Sequence, residues 1–212
     1  MVIAVLLMGL VTGILVHKLI EAFSEDQKIS IWPVLFVTAA LTVFAYNMYG
    51  LGAAGIFHWL IWCVLFAVAV IDYLTLTVVD AMVYGLGALG LVYHLIIGSP
   101  LLDSGIGFLV GFGMYLVIYL AAKAYYKKEA FGFGDVMLMG AIGIFLGLSR
   151  TVLVGFMAFY LALIGILIQK VAGRKLHLKE EIAFGPSICL SAWIVSVYGT
   201  KIIDWYLETF LF

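Results

Sequence analysis

The sequence predicts an all-α fold, a polytopic transmembrane helix bundle of about eight spans. Three observations carry that prediction. Of 212 residues, 66% are hydrophobic and only 11% charged, more apolar side chain than a soluble domain of this size can bury. The apolar residues fall in runs close to the ~20 that a bilayer core requires. Short polar segments separate those runs.

Taken in order, the runs cover residues 1–20, 31–49, 53–71, 80–98, 105–122, 133–149, 151–169 and 183–200. The first has its basic residue, Lys18, after the apolar core rather than before it. Residues 1–23 read as a retained signal-anchor with its N-terminus outside, not as a cleaved signal. Breaks at Ser24 to Ser30, at Gly98-Ser99-Pro100 with Asp103, at Lys123 to Glu129 and at Lys170 to Glu181 bound most of the others. Only Leu148, Ser149, Arg150 and Thr151 separate the sixth run from the seventh. The tail from Lys201 to Phe212 is aromatic and amphipathic, and is expected at the outer interface. No soluble domain or repeat interrupts the chain, so residues 1–212 read as a single integral-membrane domain.

Basic residues set the orientation. Lys18, Lys28, Lys123, Lys127, Lys128, Lys170, Arg174, Lys175 and Lys179, nine of the eleven, fall on one side of this map; Arg150 and Lys201 fall on the other. The nine-residue side is expected to be cytoplasmic, in the inner (plasma) membrane. Membrane lipid is then an obligatory partner. A net charge of −1 gives no sign of nucleic-acid binding, and nothing in the sequence sets an oligomeric state.

Of the 23 glycines, three pairs have GxxxG spacing inside the runs: Gly9 and Gly13, Gly107 and Gly111, Gly143 and Gly147. They predict close helix packing. Cys63 and Cys189 sit far apart in apolar sequence and read as buried thiols; no metal site is expected. His58 and His94 read as hydrogen-bonded core histidines, His17 and His177 as surface residues.

The residues that stand out chemically are aspartates at the edges of apolar runs. An ionised side chain at mid-bilayer costs about 3 kcal/mol on insertion scales, so such a residue is a functional hypothesis by default. Asp72 ends the run from Ile56 to Ile71, and Asp135 follows Phe131-Gly132-Phe133-Gly134 at the start of another. Both fall at the side predicted to be cytoplasmic. Two carboxyls close enough to share a proton can hydrolyse a peptide, one activating water while the other polarises the scissile carbonyl. Gly132 and Gly134 are expected to free the backbone ahead of Asp135, leaving room for an extended peptide. A plainer reading makes Asp135 a first-turn aspartate favoured by the helix macrodipole. Asp80, eight residues beyond Asp72, is expected to cap the next helix.

This arrangement resembles the type IV prepilin peptidases, Gly-x-Gly-Asp intramembrane aspartyl proteases. Their first motif resembles Ile71-Asp72-Tyr73 through Asp80. Their second resembles Glu129-Ala130-Phe131-Gly132-Phe133-Gly134-Asp135-Val136-Met137-Leu138 with the small-residue run to Gly143. A third echo is Ala183-Phe184-Gly185-Pro186, so the similarity covers about residues 53–200. The resemblance implies Asp72 and Asp135 as catalytic residues, with Gly132, Gly134 and Asp80 in support. It implies no metal or other cofactor, and as partner a prepilin or pilin-like precursor cut before its hydrophobic helix.

The chain also departs from the family pattern. The cytoplasmic domain with two Cys-x-x-Cys pairs is replaced by Ser24 to Ser30, which makes N-methyltransferase activity doubtful. Val79 and Ala183 stand where prolines are usual. The presenilin and signal-peptide-peptidase group fits less well, since Ile71 rather than tyrosine precedes Asp72. An ion or proton carrier using the same aspartates, or a catalytically inactive relative, are the competing readings.

Overall fold

The computed structural model describes residues 2–24, 27, 29–127, 131–173 and 182–210. Among them are eight α-helices and no strand: α1 (Val2–Phe23), α2 (Ile31–Tyr49), α3 (Ala53–Thr75), α4 (Asp80–Ile97), α5 (Leu101–Tyr126), α6 (Phe133–Leu146), α7 (Leu148–Val171) and α8 (Gly185–Phe210). Seven of these are long and apolar enough to cross a membrane. In lipid a helix satisfies its own backbone groups, which is why the apolar runs become helices and the breaks become turns.

The exception is α6, which has 14 residues and so is about 21 Å long, roughly 10 Å short of a ~30 Å hydrocarbon core. The run predicted as a span over 133–149 ends at Gly147, whose φ of 75° breaks the helix. Leu148 to Thr151, expected to separate two spans, form instead the first turn of α7. A helix ending inside a bundle leaves its last carbonyls unpaired, and side chains from other segments meet them here. The Nε2 of buried His94 lies 2.9 Å from the Phe145 carbonyl, and Arg150 Nε donates to the Leu146 carbonyl at 2.9 Å. Asp103, in the first turn of α5, accepts the Leu148 N–H at 3.1 Å and so caps α7.

Glycine sets the helix contacts as its spacing predicts. On α5, Gly107 lies against Gly143 and Gly147, and Gly111 against the Met139 carbonyl. Gly107 thus seats on the Gly143–Gly147 pair across the α5–α6 crossing, the most extensive helix contact among the described residues. Gly9 and Gly13 of α1 meet Ala39, Thr38 and Leu35 of α2 in the same way.

The core is rich in aromatic rings around α3. His58 stacks on Tyr49 at 4.2 Å between ring centroids and hydrogen-bonds the Ala54 carbonyl, as a core histidine should. Trp62, fully buried, donates to Ser196 Oγ at 2.9 Å and ties α3 to α8. Cys63 and Cys189 are buried and unpaired.

Three expectations need correction or restriction. His17 is buried, not at the surface, with Nε2 3.2 Å from the Ile29 carbonyl and Nδ1 3.4 Å from Glu21; the turn after α1 folds back over it. The segment from Lys201 is no separate tail, because α8 continues unbroken to Phe210. Lys28, Lys128, Arg174, Lys175, Lys179 and His177 lie outside the described residues. Of the remaining basic residues, Lys18, Lys123, Lys127 and Lys170 stand near the C-terminal ends of α1, α5 and α7, at the end of the bundle that holds Asp72 and Asp135. Arg150 and Lys201 stand towards the other.

Candidate active site

Asp72 lies three residues before the end of α3, and Asp135 is the third residue of α6. Both side chains are buried, Asp72 at 5% exposure and Asp135 at 6%. The two carboxyl groups lie within electrostatic reach of each other. The bundle thus brings together two acids separated by sixty-odd residues of sequence.

Asp72 is held from a third direction. Gly185, the first residue of α8, donates its backbone N–H to Asp72 Oδ2 at 2.9 Å. This is a carboxyl group at a helix N-terminus, where free N–H groups and the macrodipole both favour negative charge. A Cβ at Gly185 would stand 2.7 Å from that oxygen, so no larger residue fits without displacing the carboxylate. Asp135 is the opposite case. Its Oδ1 is buried and has no hydrogen-bond partner among the described residues, an exposed cost in a protein interior that calls for an explanation.

The glycines before Asp135 act differently from the expectation. Neither Gly132 nor Gly134 has a positive φ, so conformational freedom is not what they supply. They supply space. A Cβ on Gly134 would come 2.7 Å from Val78 Cβ, in the α3–α4 connection, and one on Gly132 would press on Asp135 Oδ2 at 3.3 Å. The first and second motifs are thereby packed directly against each other.

Asp80 does not cap α4: the cap position is Val79, there is no side-chain cap bond, and Asp80 is the first helical residue, exposed to solvent. Asp80 is exposed where Asp72 and Asp135 are buried, and so it stays outside their grouping.

Two features were not anticipated. Cys189, one turn into α8, lies within electrostatic reach of both aspartates. An aromatic cluster closes the site on the other side: Phe131 and Phe184 have centroids 5.5 Å apart, Phe159 lies 5.1 Å from Phe184, and fully buried Tyr115 lies 5.8 Å from Phe131. Phe131 and Phe184 belong to the second and third motifs, which signals the contact in retrospect. Among the described residues no three His, Cys, Asp or Glu side chains group as metal ligands would.

Comparison with known proteins gives the family. A model of the type IV leader peptidase family matches residues 59–168, just over half of the chain, and the match includes both aspartates. The chain belongs to that family. Over 151 residues it is 31% identical to the prepilin leader peptidase/N-methyltransferase of Aeromonas salmonicida, covering 70% of this chain and 51% of that protein. With the protein of the same description from Neisseria gonorrhoeae it shares 26% identity over 147 residues, 68% of this chain and 50% of that one. The leader peptidase HopD of Salmonella typhimurium is 31% identical over 104 residues, 49% of this chain and 67% of its own length. The chain spans about half the length of the first two relatives. No solved structure matches it.

Proposed function

We propose that this chain is an integral-membrane aspartyl endopeptidase that removes the leader from prepilin or pilin-like precursors at the cytoplasmic face of the inner membrane. Asp72 and Asp135 form its catalytic pair, with Gly132 and Gly134 allowing the approach of the segments that carry them. The observation that carries the reading is the buried pair itself: two interacting carboxyls on different helices, in a chain of the leader peptidase family.

In the reaction, one carboxylate takes a proton from a water molecule as its oxygen attacks the scissile carbonyl. The other, protonated, hydrogen-bonds the carbonyl oxygen and stabilises the charge that develops there. The proton then passes to the leaving amine, and the two products are a carboxylate and an amine. The Oδ1 of Asp135, without a partner among the described residues, is available to water or substrate, and the Gly185 N–H keeps Asp72 oriented. Neither step calls for a metal. The proposal covers the peptidase part of the relatives' two-part description and leaves out N-methyl transfer. Peptidase core function is assigned to residues 53–200 of the single domain.

Co-expression with a tagged precursor tests this. The unaltered chain should give a shift the size of the leader, and Asp72→Asn and Asp135→Asn should each remove it. A shift that persists in either variant would overturn the two-aspartate mechanism.

A further inference from the structure

A helical precursor hides its peptide bonds, so cleavage requires a few residues to unwind. In or near hydrocarbon each freed N–H and C=O must find a partner, since an unpaired group there costs several kcal/mol. The structure offers such partners beside the aspartates. Leu76, with φ 56°, ends α3, and Thr77, Val78 and Val79 follow outside any helix before α4 begins at Asp80. Among the described residues, the backbone N–H groups of Thr77, Val78 and Val79 and the carbonyls of Thr77 and Val78 make no backbone–backbone hydrogen bond. Only the Val79 carbonyl is engaged, by Met82 and Val83.

This open stretch starts five residues after Asp72, and its Val78 lies against Gly134, the residue before Asp135. Thr77 is exposed and Val78 and Val79 are half-buried, so the edge can be reached. Its backbone is already held at one end by the Leu76 N–H bond to the Asp72 carbonyl, 2.8 Å, and at the other by the helix start of α4.

We propose that Thr77–Val79 is the docking edge for the precursor, whose unwound residues around the scissile bond pair with it as an added strand. This is strand addition to a free backbone edge, with the occupant argued from position: the edge follows Asp72 closely in the chain and packs on Gly134, the residue before Asp135. The inference rests on the peptidase reading of the same site.

The test uses the full chain in membranes with a tagged precursor. Proline removes an N–H, and its φ near −65° suits Val79, whose φ is −78°. In an extended run successive N–H groups point to opposite sides, so Val78→Pro and Val79→Pro remove donors from opposite edges. One of them should raise KM about three- to tenfold, as loss of a backbone bond does, and clearly more than the other, with kcat little changed. Independently of any effect of proline on folding, a photo-cross-linking side chain at Thr77 in the Asp135→Asn chain should capture the precursor within a few residues of its cleavage point. Equal effects of the two prolines, or capture only at distant segments, would overturn the edge while cleavage by the unaltered chain upheld the peptidase. If the unaltered chain cleaves no precursor, the peptidase reading fails and the edge falls with it.

Discussion

Asp72 and Asp135 were legible in the sequence because a charge in an apolar run is costly and therefore conspicuous. Their neighbours were less so. Gly132 and Gly134 suggested a loosened backbone, whereas the structure uses them for close approach to Val78 and to Asp135 itself. That distinction depends on which segment lies opposite, and no local pattern encodes it. Gly185 was visible only as part of a third motif; its hydrogen bond to Asp72 spans 113 positions of chain. The account predicts that Asp72→Asn and Asp135→Asn each lower cleavage by on the order of 10²–10⁴-fold, the scale of general acid–base catalysis. Asp80→Asn should retain at least part of the activity, being exposed and outside the pair; a loss equal to the other two would contradict its placement. Gly185→Ala should lower kcat about ten- to a hundredfold through displacement of Asp72, with KM near that of the unaltered chain. Steady-state kinetics on one precursor separates these outcomes.

At the scale of elements, the runs of apolar residues became helices almost where spacing placed them, and α2 has the predicted bounds. The failure was at α6. Its sequence stays apolar into α7, so neither its short length nor the turn at Gly147 could be read from periodicity. What permits the short helix is tertiary: His94 and Arg150 meet its last carbonyls, and Asp103 starts the next helix. His94→Leu should leave the Phe145 carbonyl unpaired in the core and destabilise the protein by about 1–3 kcal/mol, measured by denaturation in detergent. Gly143→Leu should do more harm, since its side chain would run into the Gly107 backbone. It should part α5 from α6, displace Asp135 and abolish cleavage.

At the scale of the whole molecule, the site lies where the N-termini of α6 and α8 and the C-terminal end of α3 meet, at one end of the bundle. Lys127, exposed at the end of α5, marks that end, and exposed Lys201 lies towards the opposite one. Single cysteines introduced at these positions should label from opposite sides of the membrane with an impermeant thiol reagent, Lys127→Cys from the cytoplasm. Labelling of both from one side would contradict the topology. The chain spans about half of its first relatives' length, yet both aspartates fall inside the part that matches. Mass spectrometry on the purified chain with a full-length precursor decides whether Asp72 and Asp135 form one hydrolytic site. The account predicts two products whose masses sum to the precursor plus one water, formed by the unaltered chain and absent with Asp135→Asn. Intact precursor from the folded unaltered chain, or the same products from the variant, would contradict it.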